Sequence, residues 1–185
     1  MKERIQRVPF RDFANLSAEE REAAEQSKVN GKVVNIFRVM INHPPLARAW
    51  GPFGSYILSD RQTLSPRDRE FAVLRIAWLN QSPYQFEQHT RISLELGITQ
   101  AEIDRITEGP KAGWNEHDAA LIQAADDLFE NSIVSDATWK TLSLSYSIQQ
   151  MMDLVFTIGE YNLASWAMNS LGVPLDDYLP GAKKS

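Results

Sequence analysis

Two ionisable side chains, Glu70 and His89, have the types and positions that proton-transfer chemistry requires. Each lies on the apolar stripe of a predicted helix: helical spacing groups Glu70 with Val73, Leu74 and Ala77, and His89 with Phe86, Ile92 and Leu96. A carboxylate and an imidazole on neighbouring buried stripes can form a partly desolvated pair that moves a proton. The same spacing also fits a structural hydrogen bond in a helical core, because buried polar groups pair with one another.

The two helices that carry this pair are predicted to form a hairpin over residues 64–97. Each begins with a Ser-Pro dipeptide, since serine suits the N-cap and proline suits the first helical position. An acid or amide three residues after each serine predicts a capping box in both helices: Ser65-Pro66 with Asp68, and Ser82-Pro83 with Gln85. Gly97 is the predicted left-handed cap that ends the second helix.

The rest of the chain contains helical patterns and no strand pattern, so the predicted fold is all-α. Residues 1–16 are predicted to form an extended arm that packs on a neighbouring subunit, and residues 173–185 form a tail. Gly51-Pro52 is expected to kink or interrupt a helix over residues 45–58. Further helices are predicted over residues 17–27, 33–41, 99–107, from 115 onward, 136–142 and 147–171.

The last of these helices is predicted to bury one stripe, which consists of Ile148, Met151, Met152, Val155, Gly159, Asn162, Trp166 and Asn169. Gly159 costs about 1 kcal/mol relative to alanine inside a helix, so it indicates a close approach by another helix or a ligand. Asn162 on this stripe either bonds a neighbouring helix or lines a pocket, because a buried amide needs partners.

Composition limits the function classes. The 185 residues fit a single domain, and contents of 43% hydrophobic and 23% charged residues are typical of a globular protein. The formal net charge is −5 with scattered basic residues, which argues against nucleic-acid binding. No stretch has the roughly 20 apolar residues that cross a bilayer, and the N-terminus lacks the apolar core of a signal peptide, so the cytoplasm is expected. No metal or cofactor site is predicted.

The pair and its surroundings resemble the carboxymuconolactone decarboxylase family, which includes the alkyl hydroperoxidase D (AhpD) branch. The resemblance rests on Glu70 and His89, on Leu74-Arg75 between them, and on Tyr84 five residues before the histidine. Segments elsewhere match the family's layout too: Asn35-Ile36-Phe37, His43-Pro44, Gly97-Ile98-Thr99, Glu102-Ile103 and Gly159-Glu160-Tyr161-Asn162. The resemblance implies an AhpD-like helical bundle, a homo-oligomer (a trimer or a hexamer), and a small acidic or lactone-type substrate from aromatic-compound catabolism.

The chain departs from the family at two positions. In the hydroperoxidase branch, a C-x-x-C pair occupies the positions of Ser82 and Gln85, whereas this chain has no cysteine. Without a thiolate there is no nucleophile and no disulfide relay, so thiol peroxidase activity is excluded. Many decarboxylase-like members carry a glutamate at the position of Gln85, and an amide cannot replace that carboxylate as a proton carrier.

The leading hypothesis is therefore a cofactor-independent acid–base enzyme, a lyase or an isomerase. His89 is the predicted base, since the unperturbed pKa of a histidine is about 6.5; Glu70 orients it or acts as an acid, and Tyr84 donates to a developing oxyanion. Four further residues are candidates for substrate binding: Arg75, Gln85, Asn162 and Ser82. Arg75 needs a carboxylate partner, which either the protein or a substrate supplies.

Decarboxylation, double-bond isomerisation and lactone opening all use these groups, and the sequence does not choose among them. A second hypothesis is a non-catalytic helical oligomer with a degenerate site, which Gln85 favours. A third is hydrolysis with Ser82 as the nucleophile and His89 as its base. It ranks last, because an N-cap serine directs its hydroxyl at backbone N–H groups.

Overall fold

The computed structural model describes Met1, residues 4–29 and residues 31–180, so Lys2-Glu3 of the arm and the last five residues of the tail lie outside it. The described part contains nine α-helices: α1 (Ala18–Gln26), α2 (Asn35–Met40), α3 (Pro44–Ile57), α4 (Pro66–Leu79), α5 (Pro83–Glu95), α6 (Gln100–Glu108), α7 (Glu116–Asn131), α8 (Asp136–Leu142) and α9 (Ile148–Leu171). The all-α prediction is confirmed. A small antiparallel hairpin, β1 (Lys28–Val29) with β2 (Lys32–Val33), and a 3-10 turn (Phe13–Asn15) were not predicted.

Side-chain caps set most of the helix starts. The residue before the helix accepts a hydrogen bond from the third backbone N–H of α1, α4, α6, α7, α8 and α9, at Ser17, Ser65, Thr99, Asn115, Ser135 and Ser147. At α4 the box is half complete, because Asp68 accepts from the hydroxyl of Tyr146 instead. The prediction for Ser82 is wrong. Its ψ is 94° rather than the 145° of Ser65, and its hydroxyl caps nothing.

Helix α4 is the centre of the bundle and packs against α5, α6, α7 and α9. Every residue from Arg69 to Ala77 is buried, so this helix has no solvent-facing side along those turns. A charge in such a position must be paired. Arg75 accordingly makes a bidentate bond to Asp126, with N–O distances of 2.6 and 2.9 Å.

Helix α9 buries a different face from the predicted one. Met151 is buried as expected, but the other buried apolar residues are Leu154, Ile158, Tyr161, Ala164 and Met168. The exposed large side chains form the neighbouring stripe: Ile148, Met152, Phe156, Leu163 and Trp166. Gly159 lies on this stripe, and a Cβ there would meet no atom of the described residues within 4 Å, so those residues do not make the close approach expected at Gly159. Both faces are apolar, so periodicity could not identify the buried one.

The N-terminal arm lies on its own chain, at the C-terminal end of α9. The backbone N–H groups of Arg7 and Val8 donate to the carbonyl of Leu171 over 2.9 and 3.2 Å. Gly172 has a φ of +68°, and a Cβ there would come within 1.9 Å of the carbonyl oxygen of Ile5. Glycine is therefore required where the arm crosses the end of α9.

Helix α3 continues through Pro52 as one element, so the expected interruption does not occur. Its N-cap is His43, whose Nδ1 accepts from the N–H of Leu46. Within the described part of the chain, no helix combines the length and the apolar character needed to cross a bilayer.

Candidate active site

Glu70 and His89 form a direct buried pair between α4 and α5. Nδ1 of His89 lies 2.6 Å from Oε2 of Glu70, and the two residues are 7% and 0% exposed. Nε of Arg69 donates to the other carboxylate oxygen over 3.0 Å. The sequence analysis did not single out Arg69, although it directly precedes Glu70.

The charges around Glu70 keep it ionised. Burial by itself would raise the pKa of Glu70, but the neighbouring His89 and Arg69 outweigh it and hold that pKa below its usual value. An ionised carboxylate can only accept hydrogen bonds, so the proton of the pair lies on Nδ1 of His89. The other ring nitrogen, Nε2, has no hydrogen-bond partner among the described residues.

His89 lines a cavity of about 500 Å³ between α2, α3, α5 and α9. Aromatic side chains supply much of the wall: Phe37, Trp50, Tyr84, Tyr161 and Tyr178. Gln85 and Glu160 are its other buried polar side chains, and Lys28, Arg48 and Arg91 also border it. A mostly apolar cavity with a few convergent polar groups is the usual form of a small-molecule site.

Tyr161 of α9 stands against the imidazole. The two rings meet edge to face, with centroids 4.7 Å apart, and Tyr161 is 8% exposed. Burial and then the negative charge of Glu70 raise the pKa of Tyr161, so its hydroxyl stays protonated. That hydroxyl has no hydrogen-bond partner within the described residues. Tyr161 thus places an aromatic ring against the base and belongs to the lining of the same cavity.

Glu160 is the other group of α9 in the cavity wall. It is 6% exposed and accepts a hydrogen bond from the indole N–H of Trp50. Sequence reasoning missed both Glu160 and Tyr161 as site residues, because the predicted stripe of α9 was displaced from the buried face. The sequence feature that points to both residues is the segment Gly159-Glu160-Tyr161-Asn162, which matches the layout of the family.

The structure brings Gln85 to the cavity and leaves Ser82 outside its lining. Nε2 of Gln85 donates to the backbone carbonyl of Tyr161 over 3.1 Å, while its Oε1 is buried with no partner. Ser82 is fully buried and its hydroxyl has no partner in the described chain either. Because Ser82 makes no bond to His89, the geometry gives no support to a serine nucleophile.

Tyr84 lines the cavity, but its hydroxyl is occupied. It donates to Oδ2 of Asp176 over 2.5 Å, and it accepts from the N–H of Ile36 at 3.3 Å. Burial, followed by the charge of Asp176, raises the pKa of Tyr84. The hydroxyl of Tyr84 therefore already donates its proton to Asp176 of the C-terminal tail.

Arg75 and Asn162 lie away from the cavity lining. The guanidinium of Arg75 is saturated by Asp126 and by the carbonyls of Ile106 and Thr107, so its carboxylate partner belongs to the protein. Oδ1 of Asn162 accepts a hydrogen bond from the side-chain amide of Asn80 at 2.7 Å. Of the two roles expected for Asn162, the structure shows the interhelical hydrogen bond and not pocket lining.

Comparison with family models identifies the carboxymuconolactone decarboxylase family over residues 44–127. This segment contains both Glu70 and His89. The match confirms the resemblance that was predicted from the sequence. The chain has no cysteine, so it lacks the C-x-x-C pair of the hydroperoxidase branch. No protein of curated function matches the sequence.

Solved structures share the fold over most of the chain. A peroxidase-related protein from Ralstonia eutropha JMP134, described as an alkylhydroperoxidase AhpD core, is 22% identical, with a TM-score of 0.79 and 95% of each chain covered. A peroxidase-related protein from Silicibacter sp. TM1040 is 14% identical, with a TM-score of 0.79 over 95% of this chain and 93% of that one. The debrominase Bmp8, in complex with 2,3,4-tribromopyrrole, is 16% identical, with a TM-score of 0.68 and 95% of each chain covered.

Proposed function

We propose that this protein, which is similar to the carboxymuconolactone decarboxylase family over residues 44–127, is a cofactor-independent acid–base enzyme that acts on a small carboxylated or lactone-type molecule. The observation that carries the proposal is the 2.6 Å bond between Glu70 and His89 in the wall of a cavity. A Glu–His hydrogen bond that only stabilised the fold would not need to lie beside a cavity. Here the imidazole that bonds Glu70 belongs to a residue of the cavity wall.

His89 is the general base. Its Nε2 removes a proton from a carbon next to a carbonyl group, and the imidazolium that forms is stabilised by Glu70. Arg69 holds the second oxygen of Glu70 and so fixes the carboxylate that orients the ring. A positioned general base contributes about 10²–10⁴-fold to a rate.

Tyr161 donates to the negative charge that develops on the carbonyl oxygen. Its phenol lies beside the imidazole and has no competing acceptor in the described chain, whereas the phenol of Tyr84 is bound to Asp176. A preorganised donor in a site of low dielectric stabilises an oxyanion by more than it would in water. We therefore assign the role first expected of Tyr84 to Tyr161.

The cavity has an aromatic inner wall and basic side chains at its border. These are Lys28, Arg48 and Arg91, and each would have to exchange its surface carboxylate, Glu25, Glu19 or Glu95, for a substrate anion. A substrate with a planar or unsaturated body and an outer carboxylate or lactone group suits this arrangement. Isomerisation, decarboxylation and lactone opening are the reactions that the proposal admits; reactions of a thiol are excluded, because the chain has no cysteine.

A non-catalytic binding scaffold is the second candidate. The observation that favours it is Gln85, whose amide bonds the carbonyl of Tyr161 where many family members carry a carboxylate. Such a scaffold would bind the same small molecules in the same cavity and leave them unchanged. The fold shared with the debrominase Bmp8 supports an enzyme.

We also propose that the chain assembles with copies of itself through the exposed stripe of α9. Five large apolar side chains on that one helix face are each at least 50% exposed: Ile148, Met152, Phe156, Leu163 and Trp166. An exposed apolar stripe of this kind marks an interaction site in a globular protein. Gly159, at its middle, leaves room for a second helix to approach.

The experiment that tests the proposed activity follows hydrogen exchange at carbon. The protein is incubated in D₂O with a β,γ-unsaturated γ-lactone, with and without a carboxylate substituent, and the products are followed by NMR. The enzyme hypothesis predicts deuterium at the carbon next to the carbonyl at a rate well above the buffer control. Saturable binding of the lactone with no exchange would favour the scaffold.

A further inference from the structure

Glu160 is a buried carboxyl in the cavity wall, and no cation of the described residues pairs with it. Only the indole N–H of Trp50 bonds it, at Oε1, and Oε2 has no partner among the described residues. Carboxylates are almost never this deeply buried without a positive partner, because the charged form loses its hydration. Burial without a cation therefore shifts the equilibrium of this carboxyl towards its neutral form.

The charged groups that surround the cavity do not change this conclusion. His89 is already bonded to Glu70. The three other cations each pair with a carboxylate on the outer surface: Arg48 with Glu19, Arg91 with Glu95, and Lys28 with Glu25. Burial raises the pKa of Glu160, and the bond from Trp50 offsets this only in part. Glu160 therefore retains its proton at a higher pH than an ordinary glutamate does.

We propose that Glu160 is a second catalytic residue, a general acid that delivers a proton to the substrate from α9 while His89 removes one from the side of α5. The next residue of α9, Tyr161, packs its ring on the imidazole of His89, so both residues of α9 approach the same cavity as the base. This inference rests on the proposed function and adds to it a proton donor on the opposite wall.

The proton balance of the step is complete without any co-reactant. For a β,γ-unsaturated γ-lactone, His89 breaks a C–H bond at the α carbon, and the electron pair moves into a dienolate. Glu160 then gives its proton to the γ carbon, where a C–H bond forms and the α,β-unsaturated isomer results. The imidazolium returns a proton to the carboxylate of Glu160 through water in the cavity, which restores both groups.

The test separates proton removal from proton delivery. In D₂O, exchange at the α carbon reports His89 alone, and formation of the α,β isomer reports both groups. We expect Glu160→Gln to lower isomer formation by about 10²-fold, the scale of one general acid, while exchange stays close to the wild-type rate. Glu130→Gln is the matched control, because it makes the same substitution at an exposed position on α7 and should change neither rate.

A milder variant keeps the test valid if Glu160→Gln does not fold. Trp50→Phe removes the indole donor and keeps the carboxyl and an aromatic ring. Since that bond lowers the pKa of Glu160, its loss should extend isomerisation to higher pH and leave α exchange in place. ¹³C NMR of labelled glutamate, assigned with Glu160→Gln, should show this carboxyl titrating above the ordinary range.

Three results overturn the inference, and each is distinct. Isomer formed by Glu160→Gln at the wild-type ratio to exchange refutes the donor role and leaves the base role of His89 intact. A Glu160 carboxyl that titrates in the ordinary range refutes its neutral state. A wild-type protein that neither exchanges nor isomerises the lactone contradicts the proposed function itself. The role of Glu160 as the general acid is then refuted as well.

Discussion

The hydroxyl of Tyr84 lies 2.5 Å from Oδ2 of Asp176 and joins α5 to the C-terminal tail. The same carboxylate group accepts from the backbone N–H of Asn35 at 2.8 Å and from the side chain of Gln88 at 2.6 Å. Asp176 therefore ties the tail to α2 and α5 from behind the cavity wall. This arrangement assigns different roles to Tyr84 and Tyr161.

Tyr84→Phe and Tyr161→Phe should accordingly have opposite effects. The first leaves a buried carboxylate short of one donor, so the free energy of unfolding should fall by about 1.5–3 kcal/mol while turnover per folded molecule is retained. The second removes a donor that has no partner in the described chain, so turnover should fall about 10²-fold with little change in stability. Urea unfolding and kcat of both variants measure this. A loss of turnover in Tyr84→Phe alone would return the oxyanion role to Tyr84.

Glu70→Gln should shift the pH dependence of turnover. A neutral amide stabilises the imidazolium of His89 less than a carboxylate does, so the acidic limb of the pH–rate profile should move to lower pH and the rate should fall. The variant also leaves Arg69 buried beside a neutral group, which should cost about 3–5 kcal/mol of stability. The double variant Arg69→Met with Glu70→Gln removes the unpaired charge, so it should recover stability without recovering the rate.

The stability difference between wild type and Glu70→Gln should itself depend on pH. The folded-state pKa of Glu70 lies below the value of 4.5 expected when unfolded. Its contribution is therefore fully present above that pH and is lost as the pH falls through the folded-state pKa. Unfolding midpoints measured between pH 7 and pH 3 should converge for the two proteins. A constant difference across that range would show that the carboxylate of Glu70 is not the stabilising form.

Charged substitutions on the exposed stripe of α9 should dissociate the assembly. Met152→Glu and Leu163→Glu each place a carboxylate on that stripe, where a second copy would have to desolvate it. Leu94→Glu is the control, because Leu94 is similarly exposed but lies on α5. Sedimentation velocity at micromolar concentration should give an oligomer for wild type and the control, and smaller species for the two variants. A wild-type monomer would refute the assembly.

The protein should not reduce alkyl hydroperoxides with a dithiol donor. Thiol peroxidases attack the peroxide with a thiolate, and the chain has no cysteine to supply one. The measurement is consumption of an alkyl hydroperoxide by metal-free and haem-free protein with excess dithiothreitol, against a control without protein. Turnover above that control would contradict the argument from composition.

The sequence predicted the local features of the fold well, because helix starts depend on neighbouring residues. Ser65 caps its helix as its pattern indicated, and the helices predicted from residues 17 and 147 begin at Ala18 and Ile148. The pairing of Glu70 with His89 was also predictable, since each lies on a buried stripe of one of two helices joined by a short loop.

Long-range partners and the choice between two apolar faces were not predictable in this way. Gln85 bonds a carbonyl 76 residues away and Tyr84 a carboxylate 92 residues away, and no local pattern encodes either partner. On α9 both faces are apolar, so the predicted stripe fell on the exposed one. Glu160 and Tyr161 were missed for that reason, although they provide the opposite wall of the cavity.

The most direct test of the central claim compares deuterium exchange at the α carbon of the lactone for wild type and His89→Gln. Glutamine keeps a polar side chain that can bond Glu70 but cannot carry a proton near neutral pH. His117→Gln is the matched control, because His117 lies outside the cavity lining. The account predicts a rate about 10²–10⁴-fold lower for His89→Gln at an equal folded fraction, and an unchanged rate for His117→Gln. Exchange by His89→Gln at the wild-type rate would contradict the assignment of His89 as the base.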